Sequence, residues 1–441
     1  MGLMPGLDSL GTGRGIFSEK LGELQKNLSH LIDVYHKMWR AAPTDMPPFP
    51  KRYSQKRQKE LERELTSFMD RLSDRIKDYS PDEEENWFEA FAADFRDCAQ
   101  KVFALSDVTV DSLLKKGFAE TTRDFVDEVK RFDPSLSIEN VYQALRNVWI
   151  MNTLQIYTGE EVRLTDAMFG YSLIYPYSDN FLDDPSLSLD HKIGMAGRLR
   201  LWLEGETVEP REDNESRIRD LIRRIEQVFP RDRFPGVYQS LLSIYNAQIR
   251  SLTQQRKENL PSSSDILEIS VEKGGTSVLA DGYLVKGDLE ARQADFCFGF
   301  GFFLQLADDL QDVSEDRRNG HMTVFSQTAG KHPLDDLANK LFHLTDTVVR
   351  VKLGRKDNEV RLRGMILENT RLLLMEAVGK NPRLYTRAYL QEMETFFPVR
   401  FAFLKKFRAR VKRNLVENRT VALDLNFASA FLLTALSRTI S

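Results

Sequence analysis

Apolar residues recur every three to four positions along almost the whole chain, a period that leaves little room for anything but helices. Leu24, Leu28, Leu31 and Tyr35 form one stripe of a helix over Leu21 to Arg40. It stops before PTDMPPFP, Pro43 to Pro50, because proline lacks the N–H a helix needs. Lys51 to Ile76 reads as a charged helix carrying Leu61, Leu65, Phe68 and Leu72, and a third helix begins near Asp82 with Trp87, Phe91 and Phe95 inward. Ser137 is placed to cap another that uses Val141, Leu145 and Val148. No Asn-Gly hairpin lies between alternating apolar runs. Arg211 to Arg219 and Lys352 to Asn358 read as polar connectors, PSSSD (Pro261 to Asp265) is the clearest interior punctuation, and no internal repeat is seen. The expectation is an all-α protein with helices around a central cavity.

Two acid clusters interrupt this pattern. YSDNFLDDPS carries Asp179, Asp183 and Asp184, and FFLQLADDLQDVSED carries Asp308, Asp309 and Asp312. In each, two carboxylates stand four residues apart and so share one helix face. Each cluster follows a strongly apolar stretch, AMFGYSLIYPY or FCFGFGFFLQLA, where an unpaired carboxylate is costly. Facing each other across a pocket, such pairs could hold several Mg²⁺ ions and, through them, a diphosphate.

GFGFFLQLADDLQD resembles the second aspartate-rich motif of the trans-prenyltransferases: Gly301, Gln305, Asp308, Asp309 and Asp312 fill the pattern, with Leu304 where that family usually has Phe. DNFLDD, Asp179 to Asp184, is similar to a first motif in the D-x-x-x-D-D form of squalene- and phytoene-synthase-like enzymes. EKGGTS, Glu272 to Ser277, resembles the lysine-bearing element that precedes the second motif by roughly 35 residues. Order and spacing agree over Phe169 to about Phe325, and the resemblance is to the class I isoprenoid synthase superfamily.

That resemblance implies a class I isoprenoid (terpenoid) synthase-like helical bundle at residues 136–441, behind an N-terminal helical extension at 1–135 that is either a further helical layer or a dimerisation element of a homodimer. It implies Asp179, Asp183, Asp308 and Asp312 as catalytic metal ligands, with Asp184 and Asp309 assisting, and Mg²⁺ (or Mn²⁺) as cofactor. Lys273 would donate to a phosphate oxygen. Its neighbours Gly274 and Gly275 suggest a helix break beside the leaving group, or a helix C-cap. Arg198 and Arg200 after the first cluster, and Arg317, Arg318 and Lys331 after the second, could close over diphosphate; each is as readily a solvated charge. The phenylalanines at 296, 298, 300, 302 and 303 could steady a carbocation or simply pack.

An enzyme of this kind ionises a prenyl diphosphate, neutralising charge on the departing diphosphate with fixed cations while keeping water from the carbocation. Elements that hold a homoallylic co-substrate in chain-elongating relatives, a G-G-K-R upstream and an R-R-G after the first acid motif, are missing. This favours a terpene synthase over a head-to-tail or head-to-head prenyltransferase. From other classes, the chain could be a non-catalytic helical partner of such an enzyme, or a metal phosphohydrolase, although no His-Asp dipeptide occurs.

Composition limits partners and place. A net charge of −4 over 441 residues makes no case for nucleic acid. Cys98 and Cys297, the only cysteines, imply no disulfide framework and a reducing, cytoplasmic setting. No His or Cys spacing supports zinc. The apolar runs are well short of a membrane span. The basic run KKFRARVKR, Lys405 to Arg413, could touch a membrane surface, though a solvated helix face is the commoner fate of such a run.

Overall fold

The computed structural model describes residues 17–78, 84–115, 117–183, 187–255 and 262–417. Among them every regular element is helical, apart from a single bridge between Ala329 and His332. The helices are α1 (Phe17–Ala41), α2 (Gln55–Lys77), α3 (Glu84–Phe103), α4 (Asp107–Lys115), α5 (Phe118–Phe132), α6 (Ile138–Thr158), α7 (Asp166–Asp183), α8 (Leu189–Glu204) and α9 (Asp213–Val228). They continue with α10 (Pro235–Ser251), α11 (Ser263–Lys286), α12 (Ala291–Gln311), α13 (Val313–Asn319), α14 (Asp335–Lys352), α15 (Asp357–Lys380), α16 (Arg387–Phe396) and α17 (Phe401–Glu417). The all-α expectation holds. No helix among the described residues is long and apolar enough to cross a membrane.

Capping sets several boundaries. Ser137 accepts from the Asn140 amide at 3.2 Å to start α6. Ser262 and Asp265 form a reciprocal capping box that starts α11, where PSSSD predicted a break in the chain. One expected connector is overturned: most of Arg211 to Arg219 is the first turns of α9, whose Ile218, Leu221, Ile222 and Ile225 are buried. Its apolar stripe begins only at Ile218, so the opening turn reads as loop when taken alone.

The expected break at Gly274 and Gly275 is also absent: α11 runs unbroken from Ser263 to its left-handed cap at Gly287. The two glycines serve packing instead. A methyl group at Gly274 would lie 2.5 Å from the Gln305 Cβ, and one at Gly275 would lie 2.4 Å from the Phe298 ring. Across the same crossing, a methyl at Gly301 would meet the Gly274 carbonyl oxygen at 2.0 Å. Bare backbone on both helices lets α11 and α12 approach closely, and their antiparallel contact is the axis of the molecule.

The phenylalanines of α12 build the core around that axis. Phe296, Phe298, Phe302 and Phe303 are fully buried and Phe300 nearly so. Tyr35 of α1 packs at a tilt against Phe298 and edge-on against Phe302, and its hydroxyl donates to the Asp295 carboxylate at 2.8 Å. Lys352 holds the other oxygen of Asp295 at 2.6 Å. A side chain at Gly299 would strike the Tyr35 hydroxyl at 2.3 Å, so the first helix is seated in a slot made by a missing Cβ. Among the described residues one hydrophobic cluster runs from Tyr35 to Phe407.

Candidate functional site

Helix α6 orders the acid-bearing elements. It pairs with α7 through Asn147 to Ser172 at 3.3 Å and Gln155 to the Met168 sulfur at 3.3 Å. It pairs with α12 through Arg146 to Asp308 at 2.7 Å and through the Tyr157 and Phe296 rings, 4.5 Å apart. Both partners are antiparallel to α6, so α7 and α12 end at the same end of the bundle. The backbone at Asp179 and Asp183 closes α7 there, about 10 Å and more beyond the level of Ser172. The side chains of Asp179 and Asp183, and the whole of Asp184, lie outside the described residues.

Local contacts fix the end of α7. The Tyr177 hydroxyl donates to Asp133 at 2.5 Å, and Arg217 of α9 pairs with the same carboxylate. Phe181 meets the His191 ring edge-on at 5.1 Å, bringing the start of α8 alongside. His191 in turn pairs with Glu212.

The second cluster occupies the last turn of α12. Asp308 accepts from Arg146, and both side chains are 43% exposed. Tyr171 of α7 is partly buried, its hydroxyl beside Ser277 of α11. Asp309 is buried, accepting from Gln305 at 2.8 Å and Ser270 at 3.3 Å. Burial pushes its carboxyl up to about 7; the Gln305 hydrogen bond opposes this, nearby Asp316 adds to it, and His321 and Lys273 pull it back. Burial also raises Asp312, with Lys380 opposing and Asp308 and Asp316 reinforcing. The Asp312 Oδ1 is buried without a hydrogen bond, the Lys380 amine standing 3.6 Å away.

These observations bear on Mg²⁺. Crowded carboxylates, two of them raised by burial and one with an orphaned oxygen, form a hard-oxygen donor set. Among the described residues no three His, Cys, Asp or Glu side chains are grouped to share one ion. Asp308 and Asp312 are the carboxylates here that could hold Mg²⁺ with retained water completing its shell, and Asp309 could support them. The ion would supply positive charge for a phosphate leaving group.

The predicted basic residues divide. Lys273 lies close enough to act on Asp309. Arg317 covers Gly330 in the loop after α13, and Arg318 and Lys331 are exposed on that segment, which directly follows the acid turn. Arg198 and Arg200 are engaged elsewhere. Arg198 is buried against Glu215, donating through Nε at 2.8 Å and through a second nitrogen, so it packs α8 on α9. Arg200 pairs with Glu204 of its own helix at 2.9 Å.

Two cations at the site, Arg146 and Lys380, were not expected. Arg146 stands 162 positions from Asp308. The available signal was a lone arginine beside Leu145 and Val148 on an apolar helix face. No family model, no curated protein and no solved structure matches this chain.

Proposed function

We propose that the protein is a Mg²⁺-dependent class I isoprenoid enzyme that ionises a prenyl diphosphate, releases diphosphate and rearranges the carbocation, as a terpene synthase does. One observation carries the reading: Asp308, Asp309 and Asp312 gather with Lys273, Arg146 and Lys380 around the last turn of α12. The helix carrying the other acid motif ends in the same direction.

The division of labour follows from charge. Asp308 and Asp312, together with Asp179 and Asp183, would present carboxylates to the metal. Lys273 and Arg146 would meet phosphate oxygens directly, since charge-assisted hydrogen bonds strengthen as negative charge builds on the leaving group. In the resting protein Arg146 and Lys380 neutralise the acids they face. Metal binding would take over that role and free both cations for the phosphate.

The test is to incubate the purified chain with Mg²⁺ and C10, C15, C20 or C25 prenyl diphosphates, with and without isopentenyl diphosphate, assaying diphosphate release and products by mass spectrometry. Cyclic or rearranged products from one substrate are expected. Products that require isopentenyl diphosphate would make it a prenyltransferase. Absence of metal-dependent diphosphate release from every substrate would refute the reading.

A further inference from the structure

Deeper in the interior, Asp281 of α11 is completely buried. Neither of its carboxyl oxygens has a hydrogen-bond partner. Polar groups surround it. The Asn147 amide of α6 donates to Ser172 at 3.3 Å, and its second N–H is near enough to act on Asp281. The Tyr171 hydroxyl of α7 lies beside Ser277 and within the influence of Asp281. Five residues beyond Asn147, both polar atoms of Asn152 are also buried without partners. A buried carboxyl without a well-formed hydrogen bond is expensive, and one with polar neighbours on two further helices is a place where a hydroxyl can bridge.

We infer that Asp281, with Asn147 and Tyr171, forms a binding site for a neutral hydroxyl group between α6, α7 and α11, filled by water in the resting protein. Burial holds the Asp281 carboxyl well above its usual range, with Asn147 opposing, so it is a neutral acid that can both donate to and accept from such a group. Eight residues separate it from Lys273, about 12 Å along α11. That places it toward the hydrocarbon end of a bound prenyl diphosphate, away from the phosphates. This second step rests on the diphosphate-ionising reading: the water held here captures the carbocation. Its oxygen lone pair forms the new C–O bond, and the proton it sheds passes to the diphosphate already released, giving an alcohol.

Two experiments separate the inference from the reading beneath it. A high-resolution crystal structure of the full chain should show ordered water within hydrogen-bond distance of the Asp281 carboxyl. A dry carboxyl, or one bonded to a protein donor, overturns the site whatever the protein's activity. Reaction in ¹⁸O-labelled water should then give labelled alcohol, and Asp281→Leu should lower the ratio of alcohol to hydrocarbon at least tenfold, with Asp281→Asn retaining more of it. Diphosphate release with unlabelled hydrocarbon alone, or the same ratio in Asp281→Leu, overturns the capture step and leaves the proposed function standing. No diphosphate release from the wild type refutes that function and the capture step together, and leaves the water site to the crystallographic result.

Discussion

Arg146 donates to Asp308 across 2.7 Å, joining the middle of α6 to the last turn of α12. Both groups remain partly exposed there, so the pair is positioned to exchange partners when a more highly charged ligand arrives. Its contribution to folding should be below about 1 kcal/mol, as for other solvated ion pairs.

Replacing the acid therefore should harm function more than structure. Asp308→Ala is expected to cut Mg²⁺-dependent diphosphate release by at least about a hundredfold, while helix content by circular dichroism stays close to wild type. Unchanged turnover would remove Asp308 from the site.

Arg146→Ala should weaken binding of inorganic pyrophosphate in the presence of Mg²⁺ by roughly ten- to a hundredfold, the worth of one charge-assisted hydrogen bond. Isothermal titration calorimetry would measure it, and Arg146→Lys should recover part of the loss. Equal affinity in all three proteins would make the arginine a structural partner of Asp308 only.

The basic residue on α8 should behave in the opposite way. Breaking the buried pair by Arg198→Ala leaves Glu215 charged in the core, which should cost about 3–5 kcal/mol. Urea denaturation would show this as a lowered midpoint. Arg318→Ala, at an exposed position, should shift it little.

The crossing of α11 and α12 predicts a contrast between two glycines. Gly301→Ala would press a methyl group into the Gly274 carbonyl oxygen, which is backbone and cannot swing aside. A loss of about 1–3 kcal/mol or more is expected from overpacking. Gly364→Ala, in α15 with nothing within 4 Å, should instead stabilise by about 0.5–1 kcal/mol. Paired denaturation curves would reveal the opposite signs.

Acid sensitivity should trace in part to Asp133. Burial alone would raise its carboxyl, but hydrogen bonds from Ser135, Tyr177 and Arg217 outweigh that and hold it at about 2. A depressed carboxyl contributes stability above its unfolded value, near 4, and loses it as pH falls towards 2. Wild type should lead Asp133→Asn by roughly 1–2 kcal/mol at neutral pH, with the gap closing between about pH 4 and pH 2. A gap independent of pH would mean the carboxylate is not the group responsible.

Elements with a full apolar stripe were readable from sequence. Leu61, Leu65, Phe68 and Leu72 are buried along α2, Ser137 caps the helix it precedes, and PSSSD marks the break before α11. What escaped was tertiary in origin. Gly274 and Gly275 carry an intrinsic penalty in a helix, and only the facing Gly301 shows why it is tolerated. The acids of α12 stood out because charge ended an apolar run, whereas Arg146 and Lys380 are two cations among 62 basic residues. Nothing local distinguishes Arg198, committed to Glu215, from a lysine or arginine free to meet phosphate.

The slot that receives Tyr35 has a practical corollary. Because Gly299 has no side chain and Asp295, itself paired with Lys352, accepts the tyrosine hydroxyl, cutting away the leading helices would open a hole beside the very helix that bears Asp308. A shortened version beginning near residue 136 should be insoluble or loosely folded, so biochemical work on this protein calls for the leading helices to be kept.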